Sequence, residues 1–245
     1  MIGVPVRDRA FIIREFLDAI DNLDYPKDRI ILNLKFNNIG KKDRTPLLVR
    51  DWMKETDALS RYRFIQLGNT DFDDPPLPRP APERHKDLIK NLCHLRNWIR
   101  MDFLTGTVEN AGDKPILADY LLDLDSDQIL NKGTLTRLLS HKKDIVAALT
   151  KIPYGHNVWC WNYYDYNGTN LEHKRNEVSG ELEETDVVGG IVLYSRKAIE
   201  ILRFKEATGS CGEDQPYQTR ARKQGIEVYI DTDCDYGNII LVFYV

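Results

Sequence analysis

The sequence has few cysteines and no long apolar run, and both features narrow the classes of protein that it encodes. Only four cysteines occur in 245 residues, and none belongs to a Cys-x-x-Cys pair, which argues against a zinc knuckle or a disulfide framework. No apolar run reaches the roughly 20 residues of a membrane helix. The first residues show neither the basic segment nor the apolar core of a signal peptide. We therefore expect a cytoplasmic protein without a membrane span.

Neither sign of charge dominates the chain. Lys and Arg number 34, Asp and Glu number 38, and the formal net charge is −4. This balance argues against a protein that its overall field holds on nucleic acid. Hydrophobic residues make up 42% of the chain, an ordinary proportion for a globular protein. We find no internal repeat and no linker, so we predict a single domain over residues 1–245.

Segments with strand and helix patterns alternate along the chain. Predicted strands lie at residues 2–6, 29–36, 62–67, 116–124, 144–149, 187–194 and 226–230. Predicted helices lie at residues 9–23, 45–59, 84–104, 132–140, 197–204 and 214–224. Alternation of this kind is typical of α/β folds, in which helices flank a mostly parallel sheet. We therefore predict an α/β sandwich with a mixed, mostly parallel sheet.

Two segments are predicted to be loops. Residues 68–82 contain five prolines and three aspartates, and proline lacks the N–H that helices and sheets require, so this segment is expected to be an ordered loop or a flap. Residues 167–186 are rich in charge. They suit either a solvated loop or a mobile loop that covers a site.

An acidic motif, Asp125-Ser126-Asp127, directly follows the strand predicted at 116–124. Carboxylates at the carboxyl end of a strand suit Mg²⁺ or Mn²⁺, because hard cations prefer oxygen ligands and sites in α/β sheets lie at that edge. A solvated turn is the simpler interpretation of an isolated Asp-x-Asp motif. Asp123 lies two residues earlier, inside the strand, and is expected to face the same side as Asp125.

Aromatic residues crowd the stretch from 159 to 166: Trp159, Trp161, Tyr163, Tyr164 and Tyr166. Aromatic faces stack on sugar rings and on bases. The alternation at 159, 161 and 163 suits equally well a strand that buries one aromatic face. The sequence leaves both interpretations open.

Five short segments carry recognisable motifs in a defined order along the chain: residues 4–9, 24–26, 120–127, 189–196 and 212–215. Together they resemble the motifs of the GT-A glycosyltransferases, a Rossmann-like fold that uses nucleotide sugars. The chain is most similar in pattern to the collagen galactosyltransferase and lysyl-hydroxylase glycosyltransferase group and to the mannan-polymerase subunits. The resemblance implies a metal-dependent transfer of a sugar from a UDP- or GDP-sugar to a hydroxyl acceptor.

The resemblance also implies roles for residues on the donor side. Asp125 and Asp127 would hold Mn²⁺ or Mg²⁺ against the diphosphate, with Asp125 also near the ribose. The further residues expected near the nucleotide or diphosphate are Pro5, Val6, Arg7, Asp8, Arg96 and Asn97. Surface ion pairs remain an alternative for Arg7 and Arg9, and a solvated helix face remains one for Arg96.

On the acceptor side, the resemblance makes Asp214 the general base, with Glu213 as a second candidate, and implies inversion at the anomeric carbon. Related groups include both stereochemistries, so retention stays open. Capping of the following helix explains one of the two acids without catalysis. Gly189 and Gly190, with Trp159 and Trp161, are expected beside the acceptor, and the charged segment 167–186 resembles a loop over it.

The chain departs from many such enzymes because it has no His after His173. A third metal ligand from histidine is therefore missing, and Asp233 or Asp235 is the candidate replacement.

Three other functions compete with this interpretation. A nucleotidyltransferase would carry a glycine-rich loop after the first strand, where Gly3 is the only glycine. A non-catalytic module would bind a sugar nucleotide without turnover. A phage-type enzyme would modify a hydroxymethylated DNA base through a local basic patch; glycan, lipid-linked and protein acceptors are at least as compatible with the sequence.

Overall fold

The computed structural model describes residues 1–37, 43–72, 82–107, 114–153, 159–167, 170–173, 179–201, 203–205 and 214–233. The strands are β1 Ile2–Val6, β2 Ile31–Asn37, β3 Phe64–Thr70, β4 Tyr120–Leu124, β5 Ile145–Ala148, β6 Lys151–Pro153, β7 Trp159–Trp161, β8 Tyr163–Asn167, β9 Asn170–His173, β10 Leu182–Thr185, β11 Val187–Val188, β12 Ile191–Ser195 and β13 Val228–Asp231. The helices are α1 Ile13–Asp21, α2 Thr45–Glu55, α3 Ala58–Arg61, α4 Pro82–Thr105, α5 Thr134–Ser140, α6 Arg196–Ile201 and α7 Asp214–Lys223.

Eight strands form the central sheet in the order β10-β13-β5-β12-β4-β1-β2-β3. Strands β1 to β5 and β13 run in one direction, while β12 and β10 run in the other. The predicted mixed, mostly parallel sheet is therefore confirmed. Because β12 lies between β4 and β5, it is the strand that joins the two halves of the sheet.

Helices cover both faces of this sheet. On one face, α1, α2 and α5 contribute buried residues such as Phe16, Trp52 and Leu138 to a first core. On the other face, α4, α6 and α7 contribute Phe103, Ile199 and Tyr217 to a second core. No helix in the described ranges is both long enough and apolar enough to cross a membrane.

The structure differs from the two predicted loops. β3 continues through Thr70, since its pairing with β2 extends to Asn37 opposite Thr70. Residues 73–81, which hold most of the predicted proline-rich loop, lie outside the described residues. The charged segment 167–186 contains β9 and β10, because β9 pairs with β8 and β10 pairs with β13. Strand pairing overrides the polar composition in both places, through distant partners for β3 and β10 and through a local hairpin for β9.

A buried ion pair fastens α4 to the sheet. Lys35 on β2 is 1% exposed, and its Nζ lies 2.6 Å from Oδ2 of Asp102 on α4. The same carboxylate oxygen accepts a hydrogen bond of 3.0 Å from Asn33, and the Lys35 ammonium lies 4.2 Å from the centre of the Trp98 ring. These contacts fix the register of α4, which carries Arg96 to the edge of the sheet.

A second buried carboxylate connects the end of β13 to α5. Asp231 is fully buried and accepts hydrogen bonds from Arg137 at 2.6 and 3.0 Å, and its Oδ2 lies 2.6 Å from Nε2 of His141. Burial alone would raise the pKa of Asp231, but the hydrogen bonds from Arg137 and His141 outweigh it, and the pKa lies below its ordinary value. The carboxylate is thus charged, and its partners are part of the fold.

This pair predicts a stability loss that depends on pH. We expect Arg137→Met to lower the free energy of unfolding by about 3 kcal/mol at pH 7, because it leaves a buried carboxylate without its bidentate partner. The native pKa of Asp231 is depressed, so its contribution is present above the ordinary carboxyl pKa of about 3.9 and is lost as the pH falls through the folded value. The deficit should therefore shrink below about pH 4.

Urea unfolding at pH 7 and at pH 3.5 measures the two deficits. Arg14→Met is the matched control, since Arg14 pairs at the surface with Glu55 and Asp18 and should leave the free energy of unfolding almost unchanged at both pH values. A deficit of equal size at both pH values would contradict this role of Asp231.

Candidate active site

Two strands end and a third begins at the same edge of the central sheet. β1 and β4 end there, and β12 begins there, with Leu124 opposite Ile191. The acidic motif follows β4 directly, the 7–9 loop follows β1, and the turn Gly189–Gly190 precedes β12. The fold therefore brings together at one edge the motifs that the sequence separates by more than a hundred residues.

The turn at Gly189 and Gly190 contacts both the acidic motif and the candidate base. The backbone N–H of Asp125 donates to the carbonyl of Gly190 at 3.1 Å. A Cβ on Gly189 would lie 3.5 Å from Oδ2 of Asp214, and Gly190 has φ +81 with Gln128 Nε2 3.3 Å from the place of its missing Cβ. Glycine suits Gly190 because a side chain is strained at this φ. The turn thus binds Asp125 through a hydrogen bond and borders the carboxylate of Asp214.

Arg96 lies beneath the acidic motif and is 3% exposed. Its Nη2 donates to Oδ1 of Asp125 at 2.8 Å, and its Nη1 forms an ion pair with Oδ2 of Asp123, which is 2% exposed. A single guanidinium therefore joins two carboxylates that face the same side of β4, as expected for residues two apart on a strand. This placement makes Arg96 a residue that positions Asp125, which differs from the contact with the donor expected from the sequence.

Asn97, the next residue on α4, also differs from its predicted role. Its Nδ2 donates to the carbonyl of Phe204 at 2.8 Å, and its Oδ1 accepts from the N–H of Phe204 at 3.0 Å. One residue along an α-helix turns the side chain by about 100°. Asn97 therefore binds the 203–205 segment and holds it against α4.

The predicted nucleotide loop divides into a buried and an accessible part. Pro5 and Val6 belong to β1 and are buried. Arg7 and Asp8 follow the strand, with Arg7 Nε 3.2 Å from Asp8 Oδ2. Asp8 has φ 47, uncommon for a residue with a side chain, and its N–H donates to Asp43 Oδ2 at 3.2 Å. Of these four residues, Arg7 and Asp8 have the exposure that contact with a nucleotide requires.

Two motif carboxylates fit a divalent cation. The side chains of Asp125 and Asp127 are 35% and 33% exposed, whereas that of Asp123 is 1% exposed. Within the described ranges, no group of three His, Cys, Asp or Glu residues is arranged to hold a metal ion. A cation would therefore take one or two carboxylate oxygens from the chain and complete its shell with water and phosphate, as Mg²⁺ and related ions commonly do.

The candidates for a third ligand lie elsewhere or outside the description. Asp233 Oδ2 pairs with Arg137 Nη1 at 2.9 Å, on the side of the sheet that α5 covers. The prediction that Asp233 replaces a histidine ligand therefore does not match its position. Asp235, like the second base candidate Glu213, lies outside the described residues.

Asp214 is the first residue of α7, and this helix is fixed by Gln218 one turn later. Gln218 accepts from the N–H of Val188 at 2.7 Å and donates to its carbonyl at 2.8 Å, and it also donates to the Tyr194 hydroxyl at 3.2 Å. Burial raises the pKa of Tyr194 far above its ordinary value, and the nearby carboxylates of Asp214 and Asp123 raise it further. The hydroxyl therefore stays neutral beside them.

Sequence reasoning missed Asn162, which organises the same region. Asn162 is 2% exposed and donates to the carbonyls of Ala148 at 3.0 Å and Gly189 at 2.5 Å. Its Oδ1 accepts from the N–H of Thr150 at 2.7 Å. A polar residue between aromatic neighbours was the only signal in the sequence. Asn162 ties the end of β5 to the turn that carries the site.

The aromatic segment serves the core in the part whose side chains are described. Tyr163 is 1% exposed and belongs to the second core, and Trp161 packs against it. The Tyr166 hydroxyl accepts from Gln215 Nε2 at 2.9 Å, which joins β8 to α7. The side chain of Trp159 lies outside the description. The core interpretation of the alternation thus holds for Trp161 and Tyr163.

Comparison with known proteins agrees with the geometry. Residues 1–243 match the model of the glycosyltransferase family 25, N-terminal domain. A glycosyltransferase 25 family member of Anopheles gambiae is 27% identical over 171 residues, which is 68% of this chain and 26% of that protein. Procollagen galactosyltransferase 1-B of Xenopus laevis is 27% identical over 187 residues, 74% of this chain and 28% of that protein. The chain thus spans little more than a quarter of the length of these relatives.

The fold is also found among solved structures. The mannosyltransferase PcManGT from Pyrobaculum calidifontis, in complex with GDP-Man and Mn²⁺, superposes with a TM-score of 0.61 at 16% identity, over 98% of this chain and 56% of that one. This likeness confirms the GT-A fold, and the family match favours sugar transfer over nucleotidyl transfer. With a family match that extends over nearly its whole length, this chain belongs to glycosyltransferase family 25.

Proposed function

We propose that this glycosyltransferase moves a sugar from a nucleoside-diphosphate sugar to a hydroxyl acceptor with inversion, using Asp125 and Asp127 on the donor side and Asp214 as the general base. The proposal includes dependence on Mn²⁺ or Mg²⁺. The name of the Xenopus laevis relative, procollagen galactosyltransferase 1-B, makes galactose the first sugar to test and a protein hydroxyl the first acceptor class. The complex of PcManGT with GDP-Man and Mn²⁺ supports a GDP-sugar as the second donor.

One observation carries the proposal. The turn Gly189–Gly190 holds the acidic motif through the Asp125 N–H and borders the Asp214 carboxylate. A glycosyl transfer needs a group that stabilises the departing diphosphate and a base that removes the proton of the acceptor hydroxyl, at two sides of one reacting carbon. The two kinds of carboxylate are supplied by different elements and meet at this turn.

The donor-side residues bind and orient the leaving group. Asp125 is held from below by Arg96, so its carboxylate keeps one direction while its exposed edge faces the site. Asp127 lies inside the turn that runs from Asp125 to Gln128, beside Arg9. Asp125 and Asp127 would hold a divalent cation, which would supply positive charge against the departing diphosphate. Arg7 and Asp8 then border the nucleotide.

Asp214 performs the proton transfer on the acceptor side. Its position in the first turn of α7 favours the ionised carboxylate, because the helix N-terminus stabilises negative charge. The absence of a side chain at Gly189 leaves space next to Oδ2 of Asp214. An acceptor hydroxyl there would give its proton to Asp214 as the hydroxyl oxygen attacks the anomeric carbon.

A panel of nucleotide sugars tests the function directly. We would incubate the protein with UDP- and GDP-sugars and Mn²⁺ and measure release of the free nucleotide, with and without protein and glycan acceptors. Release that depends on Mn²⁺ and on one donor supports the proposal. Binding without release from any donor would identify a non-catalytic sugar-nucleotide module instead.

The first variant tests the donor side. Asp127→Ala should abolish the Mn²⁺-dependent binding of the nucleotide, because the cation loses one of its two carboxylates. Isothermal titration with UDP and with GDP, in the presence and absence of Mn²⁺, measures this. Asp233→Ala is the matched control and should leave that binding intact, since Asp233 pairs with Arg137 away from the motif. Equal losses in both variants would remove Asp127 from the site.

The second variant tests the base. Asp214→Asn should retain donor binding while lowering the rate of transfer by about 10²- to 10⁴-fold, the usual contribution of a positioned general base. Glu227→Gln is the control, since Glu227 is exposed and binds the Tyr229 hydroxyl at the other end of β13. Transfer at the normal rate by Asp214→Asn would refute the assignment. Analysis of the anomeric configuration of the product decides between inversion and retention.

A further inference from the structure

Arg9 forms an ion pair with Asp127, a partly exposed carboxylate of the acidic motif. Its Nη2 donates to Oδ2 of Asp127 at 2.9 Å, and its Nη1 donates to the carbonyl of Arg7 at 3.1 Å. The backbone N–H of Arg9 is fixed by Thr45 Oγ1 at 2.9 Å. The backbone is therefore anchored, while the side chain is 26% exposed and has room to change its partner.

The two arginines of the motif differ in this respect. Arg96 is 3% exposed and joins Asp123 to Asp125, so its withdrawal would leave a buried carboxylate without its guanidinium, at a high cost in stability. Arg9 contacts the partly exposed Asp127. Ion pairs of that kind are weak, so a stronger cation can replace Arg9 at the carboxylate.

The guanidinium of Arg9 also has an unused donor. Its Nε is buried and has no hydrogen-bond partner among the residues that the structure describes. Nε and Nη2 lie on one edge of the guanidinium plane, and such an edge binds two phosphate oxygens at once. If Nη2 leaves Asp127, this edge presents two parallel donors at the place where the proposed donor diphosphate meets the motif.

We propose that Arg9 is a resident counter-cation of Asp127: it occupies the carboxylate in the protein without ligands, yields it to the divalent cation, and then binds the diphosphate of the donor. This inference rests on the proposed function, because it assumes that Asp127 is a metal ligand. It makes the binding of metal and nucleotide interdependent, since the diphosphate gives Arg9 a new partner when the metal displaces it. A metal ion that binds alone competes with Arg9 for Asp127. When nucleotide is also present, Arg9 binds the diphosphate and no longer competes.

The inference predicts opposite changes in two binding constants. Arg9→Met should bind Mn²⁺ about two- to fivefold more tightly than the parent protein in the absence of nucleotide, a range set by the strength of a partly exposed ion pair. The tightening of Mn²⁺ binding by UDP or GDP should fall by about fivefold or more, because a charge-assisted contact to phosphate is lost. Electron paramagnetic resonance of free Mn²⁺ measures both constants on the full chain.

Three control variants isolate the effect. Arg7→Met removes a nearby charge whose ion pair is with Asp8, so it should tighten the binding of Mn²⁺ alone less than Arg9→Met does. Arg9→Lys keeps a cation that still competes and should stay close to the parent in the binding of Mn²⁺ alone. Arg14→Met, a distant surface change, should match the parent in both constants. Thermal unfolding of each variant establishes that the fold is retained.

The outcomes separate this inference from the proposed function. Mn²⁺ binding by Arg9→Met that is equal to or weaker than that of the parent would overturn the inference, as would an equal gain in Arg7→Met. With either of these outcomes, the proposed function stands as long as the parent protein releases nucleotide from a donor in an Mn²⁺-dependent way. Only the role of Arg9 is then refuted. A parent protein that binds no Mn²⁺, alone or with UDP or GDP, would overturn both.

Discussion

The geometry of the site depends on one buried guanidinium. Arg96 joins Asp123 inside β4 to Asp125 just beyond it, so the direction of the motif is set by a charge that solvent does not reach. Two carboxylates this close repel each other, and the positive charge between them makes their proximity tolerable. α4 delivers that charge, and the Lys35–Asp102 pair holds α4 in register. The buried charge of Arg96 thus determines the orientation of the Asp125 carboxylate at the surface.

The part of the candidate site that contains Asp214 is assembled by side-chain amides. Asn162 and Gln218 satisfy backbone groups at Ala148, Thr150, Val188 and Gly189, groups that would otherwise be costly to bury. Both amides lie where irregular backbone crosses the interior. Their hydrogen bonds position the Gly189–Gly190 turn and α7 relative to the sheet. They therefore set the separation of Asp125 from Asp214.

The sequence was sufficient for the fold class because each main strand and helix has its own local pattern. The run before Asp125 and the periodic residues of α4 and α7 predicted elements that the structure contains within a few residues. Contacts between distant elements were not predictable in this way. The extension of β3 through Thr70 comes from pairing with β2, and the burial of Arg96 comes from packing against β4. From the sequence alone, an arginine on a polar helix is expected to be solvated, because the sequence does not show which residues surround it in space.

The position of β12 in the sheet also determines when the two halves of the sheet can pair during synthesis of the chain. In the described sheet, β12 is the only link between the half built from β1 to β4 and the half containing β5 and β13. Until residue 195 has left the ribosome, β4 has an unpaired edge, and unpaired edges invite association with other chains. A nascent chain therefore carries this unpaired edge while the segment between β4 and β12, which includes the aromatic strands, is being synthesised.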